Sequence, residues 1–284
     1  MTALQDLIAL LQLEPIEVNL FRGRARSEDR HRIFGGHVIA QALMAAYQTV
    51  EGRVCHSLQA YFIRPGDPKA PVLYEVERSR DGKSFTTRRV IAIQHGEQIL
   101  NLASSFQVPE DGYAHQFDMP AVAAPASALP DAQRFAELER LDPERFKRET
   151  EEGRPLEMRW LQSGSMLKPE KRPPYQQVWF RAQGEVSDDA ALNQALLAWA
   201  SDWALLGTCM LPHAVNWLQP GFQSASLDHV IWFHRPIRIT DWHLYDMDSP
   251  SASGARGFNR GGIYNEHGAL VASVAQEGLI RMRR

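Results

Sequence analysis

Residues 226 to 236, Ser-Leu-Asp-His-Val-Ile-Trp-Phe-His-Arg-Pro, decide the fold. Alternating apolar and polar side chains, the β-branched pair Val230-Ile231, the aromatics and a closing proline predict a strand. The same ending occurs far upstream. Tyr61-Phe62-Ile63-Arg64-Pro65 lies over Trp232-Phe233-His234-Arg235-Pro236 at an offset of 171. The neighbourhoods agree: Tyr74-Glu75-Val76-Glu77 matches Tyr245-Asp246-Met247-Asp248, and the His95-Gly96 turn matches His267-Gly268. Ala103 to Gln107 then matches Ala272 to Gln276, so the offset drifts from 171 to 172 and then 169. Phe21-Arg22 and Phe180-Arg181 each end a strand ahead of a helix. One duplicated unit, a strand, a long helix and about four antiparallel strands, accounts for the chain.

A length of 284 residues leaves room for two such units. Their expected boundaries are 1–112 and 154–284, with 113–153 as a linker carrying a helix. Hydrophobic content of 44% and charge content of 23% are those of a soluble globular chain. A net charge of -3 gives no electrostatic reason to expect nucleic acid or an anionic membrane as partner. Two cysteines, Cys55 and Cys209, make neither a disulfide framework nor a metal cluster, which fits a reducing cytoplasm. The first residues lack a basic region and carry Asp6, so a short amphipathic helix over 3–12 is expected and not a signal peptide. The most apolar stretch, 190–206, is short for a bilayer and contains Asp202, so no membrane insertion is expected. The chain ends without a peroxisomal tripeptide.

Within the first unit a strand is expected over 16–22. The segment 22–32 holds five arginines, at 22, 24, 26, 30 and 32. They make either a solvated loop or a cradle for a phosphorylated substrate tail, since guanidinium forks suit phosphate oxygens. Gly35-Gly36 opens a helix predicted over 37–50 from its apolar stripe of Val38, Ile39, Ala42, Leu43, Ala46, Tyr47 and Val50. Glycines there bare backbone N–H donors at the positive end of the helix dipole. In the linker, Pro120, Pro125 and Pro130 punctuate an Ala-rich extended run before a charged helix near 131–150, and no chemistry is expected of it. Strands near 155–160 and 176–183 begin the second unit. Its helix, 190–206, is apolar nearly all round and must be buried on most faces. A sheet wrapped round a buried helix, repeated once, predicts an α+β double hotdog: two tandem antiparallel sheets, each around a long helix.

Three polar residues stand out. Asp202 puts a carboxylate in an apolar helix, which is costly without partners or purpose; the alternative is a solvated helix end. Gln276 is the one polar member of the alternating row Leu270, Ala272, Val274, Gln276, Gly278, Ile280, Met282. It is either a structural amide or part of a site, and Gln107 stands at the matching place in the first unit. Ser226 opens the central strand on the face of Asp228, Val230 and Trp232. Together an acceptor, a hydroxyl and an amide could hold and deprotonate one water against an electrophile.

Over essentially its full length the chain resembles the acyl-CoA thioesterase II family of double-hotdog enzymes. The motifs are Leu20-Phe21-Arg22-Gly23, Phe34-Gly35-Gly36-His37-Val38, His56-Ser57 through Tyr61-Phe62-Ile63-Arg64-Pro65-Gly66-Asp67, and Asp81-Gly82-Lys83-Ser84-Phe85. Asp228-His229 through Trp232-Phe233-His234-Arg235-Pro236, Ala255-Arg256-Gly257-Phe258 and Gln276-Glu277-Gly278 continue the order. The resemblance implies an acyl-CoA substrate, self-association as a dimer or tetramer, and no cofactor or metal. The family's Asp/Thr/Gln catalytic set falls on Asp202, Ser226 and Gln276, with serine where threonine is usual. The hydroxyl is kept and the methyl that stiffens its rotamer is lost. The family's histidine in the first unit falls on His56 as a substrate-binding candidate. Backbone N–H groups of Gly35 and Gly36 are the expected oxyanion donors.

Other chemistries fit less well. No Gly-x-Ser-x-Gly occurs, Cys55 and His56 are strand neighbours facing opposite ways, and there is no His-Glu-x-x-His. A hotdog enoyl-CoA hydratase shares the fold, but after Gly66-Asp67-Pro68 its Asn and His are missing. A non-catalytic acyl-CoA-binding or sensing module remains the alternative from a different class.

Overall fold

A computed structural model describes residues 2–25, 32–149, 154–162, 164–165 and 168–283. Arg26 and Arg30 of the arginine-rich segment lie outside the described residues. The first unit runs α1 (Ala3–Leu11), β1 (Glu14–Glu17), β2 (Leu20–Gly23), α2 (Gly35–Tyr47), β3 (Val54–Phe62), β4 (Val72–Asp81), β5 (Phe85–Gln94) and β6 (Glu97–Gln107). The strand expected over 16–22 is thus two short ones, turned at Asn19 by a left-handed φ of 62°. The connection carries β7 (Leu129–Pro130) and, in place of one long helix, three short ones: α3 (Asp131–Arg134), α4 (Ala136–Leu141) and α5 (Pro143–Glu149). The second unit runs β8 (Leu156–Trp160), β9 (Tyr175–Ala182), α6 (Ala190–Ala204), a 3₁₀ segment Leu205–His213, β10 (Phe222–Ser226), β11 (Asp228–Phe233), β12 (His243–Ser253), β13 (Arg256–Asn265) and β14 (Leu270–Met282).

The two expected sheets meet edge to edge. The path β1-β2-β4-β5-β6-β3-β11-β14-β13-β12-β9-β8-β7 is continuous and antiparallel throughout, with β10 extending β11 alongside β14. The seam is the pair β3 and β11, the two strands that carry the sequence echo. Gln59 pairs with Val230, its own counterpart at the offset of 171, and the flanking pairs Tyr61–Asp228 and Ser57–Trp232 run symmetrically about it. A pseudo-two-fold axis therefore passes between Gln59 and Val230. Two edges that would each expose unpaired N–H and C=O groups satisfy one another instead.

Inside the sheet, α2 and α6 pack on each other and α1 lies across both. Residues Gly36 to Leu43 and Asn193 to Asp202 are buried without a break. The helical run Ala190–His213 is long and apolar enough to cross a bilayer, yet 78% of its apolar window is buried in the fold. One difference between the central helices matters for the site. Asp189 caps α6, accepting from the backbone N–H groups of Ala191 and Leu192, whereas no side chain of its own turn caps α2. The first N–H groups of α2 are left seeking an acceptor.

Candidate active site

That acceptor comes from the other unit. Asp202, in the last turn of α6 and 6% exposed, accepts from the backbone N–H of Gly36 through Oδ2 at 2.8 Å. Its Oδ1 accepts from Ser226 Oγ at 3.0 Å and from Gln276 Nε2 at 2.6 Å. Three donors from three elements hold one carboxylate, at the positive end of a helix dipole. The amide orientation of Gln276 follows from this contact, because only its nitrogen can face a carboxylate oxygen at that distance. Gln276 is 1% exposed, and its Oε1 has no hydrogen-bond partner among the described residues.

Asp202, Ser226 and Gln276, expected together from the chain, are therefore brought together. Ser226 arrives by a route that strict alternation misses. Ser226 pairs with Gly278 while Val230 pairs with Ala275, so four steps on one strand face three on the other. This β-bulge at Leu227-Asp228 turns Ser226 to the helix side, the face of His229, Ile231 and Phe233 and not that of Asp228. Asp228 is used to close the bulge: its Oδ1 accepts from the Glu277 backbone N–H at 2.6 Å. Gln276 needs no such device, since Ala272, Val274 and Gln276 are buried in the expected row.

The glycines explain how a carboxylate can sit on α2. A Cβ on Gly35 would lie 2.8 Å from Asp202 Oδ2 and 2.8 Å from the Phe62 ring, and one on Gly36 would meet the Trp199 carbonyl at 2.6 Å. Any larger residue would separate the halves at this point. Gly36 N–H is committed to Asp202, so of the two expected oxyanion donors only Gly35 N–H remains. His56 is not brought to the cluster. It lies at the far end of the seam, where its neighbour Ser57 pairs with Trp232, and its Nε2 is 2.8 Å from Ser105 Oγ.

One residue of the site was not expected. His229, fully buried, has Nδ1 3.0 Å from Gln276 Nε2 and Nε2 2.8 Å from Ser201 Oγ. Burial lowers its pKa below the usual histidine value, opposed by the Asp202 charge. The signal for it would have been the bulge, which puts 226 and 229 on one face.

A cavity of about 900 Å³ opens beside the cluster. Gly35, Asp202 and Ser226 border it, and Phe62, Trp203, Leu206 and Met210 are among its apolar walls. The connection contributes Arg134 and Phe135, so this stretch, expected to be inert, forms part of the cavity wall. Of the arginine-rich segment, Arg22 is paired with Glu14, while Arg32 borders the cavity and donates to the Ser224 carbonyl at 3.1 Å. Among the described residues no group of three His, Cys, Asp or Glu side chains could hold a metal ion.

Comparison with known proteins agrees with this architecture. The profile of the family described as acyl-CoA thioesterase matches residues 147–279, and that of the acyl-CoA thioesterase N-terminal domain matches 25–107. Acyl-CoA thioesterase 2 of Haemophilus influenzae is 40% identical over 98% of both chains. Human acyl-coenzyme A thioesterase 8 is 39% identical over 96% of this chain and 88% of its own. Among solved structures, acyl-CoA thioesterase II TesB2 from Mycobacterium marinum superposes with a TM-score of 0.78 at 38% identity, covering 98% of each chain. With two matching profiles that divide at the connection and relatives aligned end to end, the chain belongs to the acyl-CoA thioesterase family.

Proposed function

We propose that this thioester hydrolase cleaves fatty acyl-CoA with a water molecule whose proton passes to Asp202. The observation that carries the reading is a buried, triply hydrogen-bonded carboxylate on the border of a large, largely apolar cavity. A water in front of Asp202 donates one O–H to the carboxylate. Ser226 and Gln276 fix the carboxylate. The water oxygen adds to the thioester carbonyl carbon, and the developing oxyanion accepts from Gly35 N–H. Collapse of the tetrahedral adduct breaks the C–S bond. The proton held by Asp202 goes to the departing CoA thiolate, leaving the free acid. The acyl chain occupies the apolar part of the cavity, and Arg32 at its border suits the polyanionic CoA end.

Asp202→Asn keeps the size and the ability to accept from Gly36, and removes the base. Free-thiol release from a series of acyl-CoA chain lengths should fall by roughly 10²–10⁴ in this variant, the usual range for a general base. Its melting temperature should fall, because one amide oxygen cannot serve donors on both sides, so the rate is compared per folded molecule. Turnover equal to wild type would overturn the assignment, and acyl-CoA binding without thiol release in the wild type would favour a sensing module. We also read the protein as a cytoplasmic homo-oligomer. Cys55 and Cys209 are buried free thiols, and Tyr61 and Trp232, counterparts in the echo, expose aromatic surface on the outer face of the seam. A monomeric mass by light scattering would overturn the oligomer.

A further inference from the structure

We propose that His229 is a positioning residue of this site: neutral, with its proton on Nε2, it accepts one amide N–H of Gln276 and so aims the other at Asp202. The proton placement follows from the chain of hydrogen bonds. Ser201 Oγ donates to the Ala198 carbonyl at 2.9 Å, so towards His229 it can only accept, and His229 Nε2 must carry a hydrogen. Gln276 Nε2 brings two hydrogens and lies within reach of both Asp202 Oδ1 and His229 Nδ1. One goes to each acceptor, and Nδ1 must be bare. A protonated ring would set N–H against N–H at 3.0 Å. From β12, Tyr245 donates to the Ser201 backbone carbonyl at 3.0 Å, and Asp202 lies 3.9 Å from Nδ1. Burial favours the neutral ring.

The duplication supplies an internal control. Gln59 pairs with Ala103 where Val230 pairs with Ala275, so the strand register makes Ser104 the counterpart of Gln276. By the same count Leu58, facing Ser104, is the counterpart of His229. Leu58 is fully buried at its position, so the fold needs only an apolar side chain there. The histidine occurs in the half that has a carboxylate to serve. A buried imidazole placed for packing alone would have no reason to follow the amide.

The inference rests on Asp202 acting as base, and two isosteric replacements separate it from that reading. His229→Asn puts an amide oxygen near the place of Nδ1, keeping the acceptor for Gln276 and losing the contact to Ser201. His229→Gln reaches the place of Nε2, keeping the Ser201 contact and losing the acceptor. Both are compared as kcat and KM for one acyl-CoA, per folded molecule, beside Asp202→Asn. We expect His229→Gln to lose roughly 10²-fold in kcat with KM little changed, the scale of a misplaced group. His229→Asn should stay within about ten-fold of wild type, since the hydrogen bond that aims the amide survives. Equal kcat in the two variants overturns the inference while leaving Asp202 as base. Undiminished turnover in Asp202→Asn overturns the underlying reading. If neither replacement folds, His229→Leu decides: it puts the residue of the first half at this place, removes the acceptor for Gln276, and an unchanged kcat per folded molecule overturns the proposal.

Discussion

The two ends of the seam are built to one plan and finished differently. Both β3 and β10–β11 carry a one-residue bulge at equivalent places, so Cys55 stands in the first half where Ser226 stands in the second. At the Ser226 end the central carboxylate borders a cavity. At the Cys55 end the polar groups close on themselves. Tyr47 OH donates to Gln194 Oε1 and accepts from Cys55 N–H, while Gln194 Nε2 donates to the Cys55 carbonyl at 2.9 Å. Tyr47, Cys55 and Gln194 thus satisfy one another. Arg88, 1% exposed, ties the end of α2 to the sheet by bonding Thr49 and Asp81. Its counterpart by register, Asn259, instead accepts from Cys209 N–H in the 3₁₀ segment that follows α6. That extra segment lends Leu206, Gly207, Met210 and Leu211 to the cavity wall. One end of the seam thus holds a carboxylate beside a cavity, the other a phenol whose hydrogen bonds are met within the fold.

The largest effect that would break this contrast is at the paired bulge positions. Ser226→Ala removes one of the three donors on Asp202 and should lower kcat by roughly 10–10² without unfolding, somewhat less than loss of a donor acting directly on an oxyanion. Ser226→Thr, which keeps the hydroxyl, should turn over near the wild-type rate. Cys55→Ala should leave kcat per folded molecule unchanged. If alanine and threonine at 226 behave alike, the hydroxyl does not orient the carboxylate. If Cys55→Ala slows turnover comparably, the two ends are not functionally distinct.

The closed end should show up in stability instead. Tyr47→Phe deletes the hydroxyl that serves Cys55 N–H and Gln194 Oε1, leaving buried groups unpaired at a cost of about 1–3 kcal/mol. Denaturant melts should register that loss, while thiol release by the folded fraction should not change. A rate loss with unchanged stability would mean that α2 transmits more to the Asp202 end than the Gly36 hydrogen bond alone.

Much of this plan was legible in the chain. The echo of aromatic-Phe-x-Arg-Pro marked the seam strands, and Asp202 and Gln276 were conspicuous because a polar group in an apolar row demands an explanation. What stayed hidden lay downstream of single-residue irregularities. A bulge moves every later side chain to the other face, so alternation put Ser226 beside Asp228 and parted it from His229. The cavity wall made by Arg134 and Phe135 was hidden for another reason: a linker shows its role only through tertiary contact. The acid cap on α2 crosses 166 residues of chain, beyond the reach of any local capping rule.

The smallest effect tests how equivalent residues are found. By sequence, Ala103 to Gln107 matches Ala272 to Gln276 at an offset of 169, which makes Gln107 the partner of Gln276. Strand register gives 172 and selects Ser104, because runs of alanine and serine slide past one another without a change in side-chain size. The surroundings side with register. Gln107 donates to Glu110 in an exposed bond, while Ser104 is buried beside the Arg88 carbonyl. Gln107→Ala should therefore move stability by no more than about 0.5 kcal/mol, as surface changes do, and leave kcat untouched. Melting and saturated thiol release on that variant decide the matter. A stability loss on the scale of Tyr47→Phe would mean that Gln107 is the buried counterpart after all, and the register-based assignment of Ser104 to Gln276 would fall with it.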